Sequence, residues 1–371
     1  MPESIPDALV KRRQQVQDLC VQIAAVLADS TGDAADQQKR ITEASKKHNL
    51  YGLSQPLEFG GLDAGPLEVV VVHETLASHN LCHIGGLFGP QPGVLAGVQE
   101  PLKSQYLEPM LAGQKRGAFA FTEPDNVTRK TWASIEGDHL VINGQKSYVT
   151  GGAAADYINA LVEIDGQGPA MVLIDMGTPG IDIIRTFGSI DGSHHASMTF
   201  KDVTVPRSHV IGEAGRGLPR AMHQIGDTRL VFAAQSVGLM QWVIERTTEH
   251  LEAPHRSGEP LGSKEGVRLR YADMRIKAYA ARSMLYRTAR LAETGENVIN
   301  EVIACKVFCT ETIGEIVDMA IQLHGGVALR NGHPLEELYR RVRAWRLAEG
   351  ASDILRLNLV RGKLDLQKGR I

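Results

Sequence analysis

Along the first 115 positions, apolar residues recur mostly at three- and four-residue spacing, the mark of helices that bury one face. The run breaks at YGLSQPLEFGGLDAGP (51–66), whose glycines and prolines read as loop. From about 117 the pattern becomes alternation. HLVINGQKSYVT (139–150) sets Asn143-Gly144 between two alternating runs, which predicts a hairpin turning at that dipeptide. Further strands are expected at YINALVEI, at AMVLIDM after an Asp165-Gly166 turn, and at ASMTFKDVTVP, where Pro206 ends the last one. Beyond GEAGRG (212–217) helical spacing returns. Met274, Ala278, Ala281, Leu285, Ala289 and Ala292 form one stripe, and Val302, Cys305, Cys309, Ile313, Ile316, Ala320 and Leu323 a second, which Gly325-Gly326 stops as a helix end.

The pattern predicts an α+β multidomain fold: a helical domain over 1–116, a β domain over 117–218 and a helical bundle over 219–371. There is no repeat at a fixed period, and clefts between such unlike units are where small-molecule sites tend to form. Composition agrees. The 371 residues are 43% hydrophobic, enough for several cores, and 40 basic against 43 acidic residues leave a net charge of −3 without any block of like charge. That balance argues against a nucleic-acid partner. The first residues lack an apolar signal region and no stretch approaches a membrane span, so a cytoplasmic chain without membrane insertion is expected. Four cysteines make no disulfide framework; Cys305 and Cys309, at i and i+4, read as core thiols. No ligand set is spaced for a metal.

One carboxylate invites chemistry. In RLAEGASDILR (346–356), Glu349 precedes a glycine at the edge of a final helical run. Alone, it reads as a solvated acid facing the positive end of a helix dipole. Other motifs change that reading. They are, in order, GLSQPLEFGGLDAGPLE followed by Glu74; LKSQYLEPMLAGQKRGAFAFTEP (102–124); GDHLVINGQKSYVTGGAAADY; FKDVTVPRSHVIGEAGRG (200–217); and IQLHGGVAL with YRRVRAWRLAEGASDILR. Together, over nearly the whole chain, they resemble the acyl-CoA dehydrogenase family.

The resemblance implies the family fold, with an N-terminal helical domain, a middle antiparallel β domain and a C-terminal helical bundle. It also implies FAD-dependent α,β-dehydrogenation of an acyl thioester, carried by coenzyme A or an acyl carrier protein. Glu349 stands where the family carries its base for the α-proton, and the β-hydride would pass to flavin N5. No side chain accepts a hydride, so a cofactor is obligatory for this chemistry. Phe121, Thr122, Tyr148 and Thr150 match positions at the flavin ring, with Tyr148 at the family's tryptophan and the Thr150 hydroxyl placed to meet N5. Gln322, Gly325 and Gly326 match positions toward the FAD of a neighbouring subunit. The Glu349 N–H would donate to the thioester carbonyl, and Gly350 would let the backbone approach it. Thr128 and Arg129 fall in a loop that borders the thioester end of the substrate, and Arg229 at the mouth of the acyl site. Without the resemblance, Thr122 is a loop residue, Thr150 a cross-strand pair and the glycine pair a helix cap.

The departures are specific. After TEP, where the family runs GAGSD or similar, Asp125-Asn126-Val127-Thr128-Arg129 replaces serine by threonine and aspartate by arginine. At Asp227-Thr228-Arg229 the acid is shifted by one position. The family's cross-subunit FAD grip, RxxFGxPLxxxQ, falls on Pro254, Ser257, Gly258, Pro260, Leu261 and Glu265, without its arginine, phenylalanine or glutamine. Arg256, two positions away, is the candidate cation for the FAD phosphates. Asp191 takes a position often held by arginine, and His194-His195 follow as either polar loop or ligand site. The expected partners are an electron-transferring flavoprotein as acceptor and further copies of the chain, as homodimer or homotetramer. Two alternatives stay open: a partner subunit of a heteromeric dehydrogenase with an incomplete flavin site, and a flavin-dependent monooxygenase on the same fold.

Overall fold

The computed structural model describes residues 5–29, 33–256, 258–367 and 371. Its contacts group into two units, residues 1–88 with 226–371, and residues 89–225.

In the first unit, α1 (Asp7–Ala28), α2 (Ala34–Lys47) and α3 (Pro66–Ser78) come from the N-terminal part. Local signals set their starts: the Asp33 side chain accepts from the Asp36 N–H at the head of α2, and Pro66 opens α3. Val70, Val71, Val72 and Leu76 of α3 are all fully buried, so this helix is covered on every side. After the short α4 (Glu108–Leu111) of the other unit, α5 (Gly217–Glu252) leads into α6 (Glu265–Glu293), α7 (Ile299–His324), α8 (Pro334–Trp345) and α9 (Ser352–Leu364). Both predicted stripes lie inward: Met274, Ala281, Leu285 and Ala289 on α6 pack in one core with Cys305, Cys309, Ile313, Ile316, Ala320 and Leu323 on α7. α7 ends where the glycine pair predicts, with Gly325 at φ 73°. The four cysteines are free thiols, and the sulfurs of Cys305 and Cys309 lie 3.9 Å apart in the core. Among the described residues no helix is long and apolar enough to cross a membrane, and no group of three His, Cys, Asp or Glu side chains is arranged to hold a metal.

The second unit is built on one eight-stranded sheet. Its strands are β1 (Gly117–Ala120), β2 (Trp132–Glu136), β3 (His139–Thr150), β4 (Tyr157–Ile164), β5 (Gly168–Asp175), β6 (Ile181–Gly188), β7 (His194–Pro206) and β8 (Val210–Ile211), in the order β6-β7-β3-β2-β4-β5-β8, with β1 also against β4. Most pairings are antiparallel; β1 and β2 both run parallel to β4. The turn at Asp165-Gly166 joins β4 to β5, with Gly166 at φ 75°, and β7 ends at Pro206 as expected.

The hairpin at Asn143-Gly144 is a correction. Those residues lie inside β3, and the tight connection falls earlier, at Gly137-Asp138 between β2 and β3. Asn143 is held by Asp202 on β7, donating to its carboxylate at 3.1 Å and accepting its N–H at 3.0 Å. Gly144 sits at a register shift, where a Cβ would come within 2.6 Å of the Thr131 Cα. The dipeptide therefore serves a bulge and a close strand approach, two other uses of the same residues.

Candidate functional site

Two of the motifs singled out from the sequence converge within the β unit. Lys146, almost wholly buried, places its ammonium 2.8 Å from the Glu123 carboxylate and 3.3 Å from the Phe121 carbonyl. Ser147 donates its N–H to the Thr122 carbonyl at 2.9 Å. Burial alone would raise the Glu123 carboxyl, but the bonds from Lys146 and the Thr131 N–H outweigh it and hold the group below its usual range. The ion pair staples the stretch carrying Phe121 and Thr122 to the strand carrying Tyr148 and Thr150. The alternation of β3 breaks here, with Lys146 and Ser147 both buried, and Tyr148 follows at φ 54° and is 62% exposed. Thr122 and Thr150 are exposed as well.

Beside Thr150, β7 and the loop before it supply a hydrogen-bonded chain. Thr150 Oγ1 lies 3.1 Å from His195 Nδ1, His195 Nε2 lies 2.9 Å from Ser193 Oγ, and that hydroxyl donates to the Asp191 carboxylate at 2.7 Å. The Ser193 N–H also donates to Asp191, at 3.1 Å. Phe187 and Tyr148 flank the imidazole, with ring centroids 5.4 and 6.0 Å away. A hollow of about 170 Å³ opens between Tyr148, Arg185, Phe187 and Ser197.

In the helical unit, Glu349 lies in the connection between α8 and α9, three residues before the helix begins. Its backbone is left-handed, φ 54°, and Gly350 follows at φ 104°. For a glutamate that conformation costs on the order of 1–2 kcal/mol and persists only where surrounding bonds impose it. Two buried cations impose it here. Arg229 on α5 donates from Nε to the Glu349 carbonyl at 2.9 Å, and Lys306 on α7 donates from Nζ to the Gly350 carbonyl at 3.0 Å. The Ser352 N–H closes the turn on the Arg346 carbonyl. Among the described residues no backbone acceptor meets the Glu349 N–H. Burial pushes the Glu349 carboxyl above the usual range, and Arg229 and Lys306 pull against that rise. Lys306 is brought down to about 8, first by burial and then by Arg229.

Glu349, Gly350 and Arg229 lie together, with Arg229 engaged in holding the loop. Lys306 was missed: it follows Cys305 in the helical run, and nothing local distinguishes it from a solvated lysine. Arg129 is turned to Asp165 at an exposed position and stacks over the half-buried Trp132 at 3.9 Å, with Thr128 exposed beside it. Arg256 and Gln322 are exposed, Arg256 after α5 and Gln322 near the end of α7; Ser257 lies outside the described residues. The Gly325 N–H caps α7 on the Ile321 carbonyl, which leaves Gly326 as the donor of that pair to consider. A larger cavity of about 410 Å³ in the β unit, lined in part by Pro92, Val94, Leu95, Met110, Phe119 and Asn159, involves none of the residues chosen from the sequence.

Comparison with known proteins bears on the whole chain. Residues 118–203 match the family model described as acyl-CoA dehydrogenase, middle domain, and residues 215–364 match the model described as acyl-CoA dehydrogenase, C-terminal domain. Acryloyl-CoA reductase (NADH) of Anaerotignum propionicum is 28% identical over 95% of this chain and 95% of its own. The caffeyl-CoA reductase-Etf complex subunit CarC of Acetobacterium woodii is 26% identical over 90% of this chain and 92% of its own. The solved structure of PigA with FAD and proline superposes with a TM-score of 0.82 at 23% identity, covering 99% of this chain and 100% of that one.

Proposed function

The chain belongs to the acyl-CoA dehydrogenase family of oxidoreductases, and from that membership we propose that it catalyses α,β-dehydrogenation of an acyl thioester with Glu349 as the base. The observation that carries the assignment is the clamped turn: a glutamate in left-handed backbone, its own carbonyl and the next one held by buried cations, and its own N–H without a backbone acceptor among the described residues. The N–H is suited to polarise the thioester carbonyl, so charge is met where it develops as the α-proton leaves. Partial desolvation strengthens the carboxylate as a base, while Arg229 and Lys306 favour its ionised form.

The exposed hydroxyls of Thr122 and Thr150, with Tyr148 and Phe187 forming an aromatic wall, fit a flat conjugated ring with a polar edge, and FAD when bound supplies the hydride acceptor. In this reading Phe121, Thr122, Tyr148 and Thr150 seat the ring, Gly326 and Gln322 contact FAD of another copy, and Arg256 meets its phosphates. Thr128 stays a candidate for the thioester end; Arg129, held by Asp165 and Trp132, is left out. The Etf named in the CarC complex supports an electron-transferring flavoprotein as the acceptor.

The test is the purified protein's visible spectrum, then anaerobic titration with a panel of acyl thioesters. Bleaching of the flavin band by one class of thioester is expected, and Glu349→Gln should lose about 10²–10⁴-fold in turnover while keeping its flavin. A protein that cannot take up FAD, or a Glu349→Gln variant as active as its parent, would overturn the proposal.

A further inference from the structure

The direction of each hydrogen bond beside Thr150 follows from what each group can give. The Asp191 carboxylate only accepts, so the Ser193 hydroxyl, 2.7 Å away, directs its single proton there in a charge-assisted bond. Ser193 Oγ is then left with lone pairs toward His195 Nε2, which must be the protonated nitrogen. A neutral imidazole carries one proton, so Nδ1 is bare and accepts from Thr150, 3.1 Å away. The chain therefore runs one way, from Thr150 through His195 and Ser193 to Asp191. The Thr150 hydroxyl has its proton directed inward and its lone pairs outward, at an exposed position on β3.

We infer that His195 is a positioning residue that fixes the Thr150 hydroxyl as a hydrogen-bond acceptor toward whatever it faces. This rests on the reading of Thr150 as the residue at flavin N5. Oxidised flavin offers a lone pair at N5 and needs a donor; reduced flavin carries a proton there and needs an acceptor. An acceptor-only Thr150 is complementary to the reduced form alone, so the Asp191-Ser193-His195 chain biases the site toward reduced flavin and raises its midpoint potential. Arrangement and ligand chemistry agree: the imidazole is held by two hydrogen bonds and flanked by Phe187 and Tyr148, so its tautomer is set before any ligand arrives.

Two measurements test this. Long-range nitrogen–proton NMR on histidine-labelled protein, with and without FAD, should find neutral His195 protonated at Nε2, and Ser193→Ala should release that preference. Protonation at Nδ1 in the unaltered protein overturns the inference. In the FAD-loaded protein, His195→Leu frees the Thr150 proton to turn outward, so the midpoint potential should become more negative. The same substitution in a Thr150→Val background should leave the potential where Thr150→Val alone puts it. A His195→Leu protein that binds FAD with an unchanged potential overturns the role of His195 and leaves the flavin reading standing. Failure of the unaltered protein to bind FAD overturns both.

Discussion

Lys306 and Glu349 are coupled through one turn of backbone, and the coupling has a measurable sign. Burial raises the Glu349 carboxyl, so the rate should fall with acid at a pH above the usual carboxylate range. Lys306→Met removes one of the two cations that counter this rise; the acid limb of kcat/KM should move to higher pH, and a pH–rate profile decides it. Stability responds separately. Lys306 in the fold titrates at about 8, whereas an unfolded lysine does so at about 10.4. Between those values the unfolded chain holds a proton the fold has released, so the lysine's contribution to stability grows with pH across that window. Denaturant midpoints of parent and Lys306→Met at pH 7.5 and 10 should diverge in the parent's favour. Glu349 was legible as a candidate because a glutamate-glycine pair stood within an ordered set of motifs. Lys306 was not, because its burial is decided by the α8–α9 turn folding over α7, more than forty positions further along the chain.

At the scale of elements, periodicity found the long helices and their inward faces, since a helical stripe is a local property of the chain. It erred where one dipeptide serves two purposes: the strand partner that holds Asn143 lies 59 positions away in the sequence, and alternation cannot register it. It also gave no sign of what sits between the stripes. Glu74 on α3 is buried and accepts from Gln241 at 2.7 Å on α5 and from Arg282 at 2.6 Å and the Tyr286 hydroxyl on α6, with Arg13 of α1 3.6 Å away. Four helices thus converge on one carboxylate. Replacing it by leucine leaves two guanidinium groups facing an apolar side chain, and chemical denaturation should show a loss of about 3–5 kcal/mol. If Glu74→Leu unfolds at the parent's midpoint, the network contributes nothing to the fold.

The whole molecule presents more apolar surface than a solitary chain needs. Ile354, Leu357, Val360 and Leu364 line one face of α9 at 52–71% exposure, and Leu269, Ile276 and Tyr279 line one face of α6 at 64–65%. Sedimentation should find a dimer or tetramer, and Leu357→Glu should shift it toward monomer; a parent that sediments as a monomer rejects self-association. The division of the chain carries a different consequence. The β unit is one continuous segment, while the helical unit joins residues 1–88 to 226–371. During synthesis the β unit can close once its own residues have emerged, but the face of α3 that packs against α5 and α6 must wait for partners made later. Until then Val70, Val71 and Ala77 have no α5 or α6 to cover them. The α8–α9 turn that carries the proposed base emerges well after the β unit, so a nascent chain would hold its hydroxyl-bearing strand in place before it possesses a carboxylate to act with. Aggregation of truncated chains ending before α6, set against the solubility of 89–225 alone, would reveal that order.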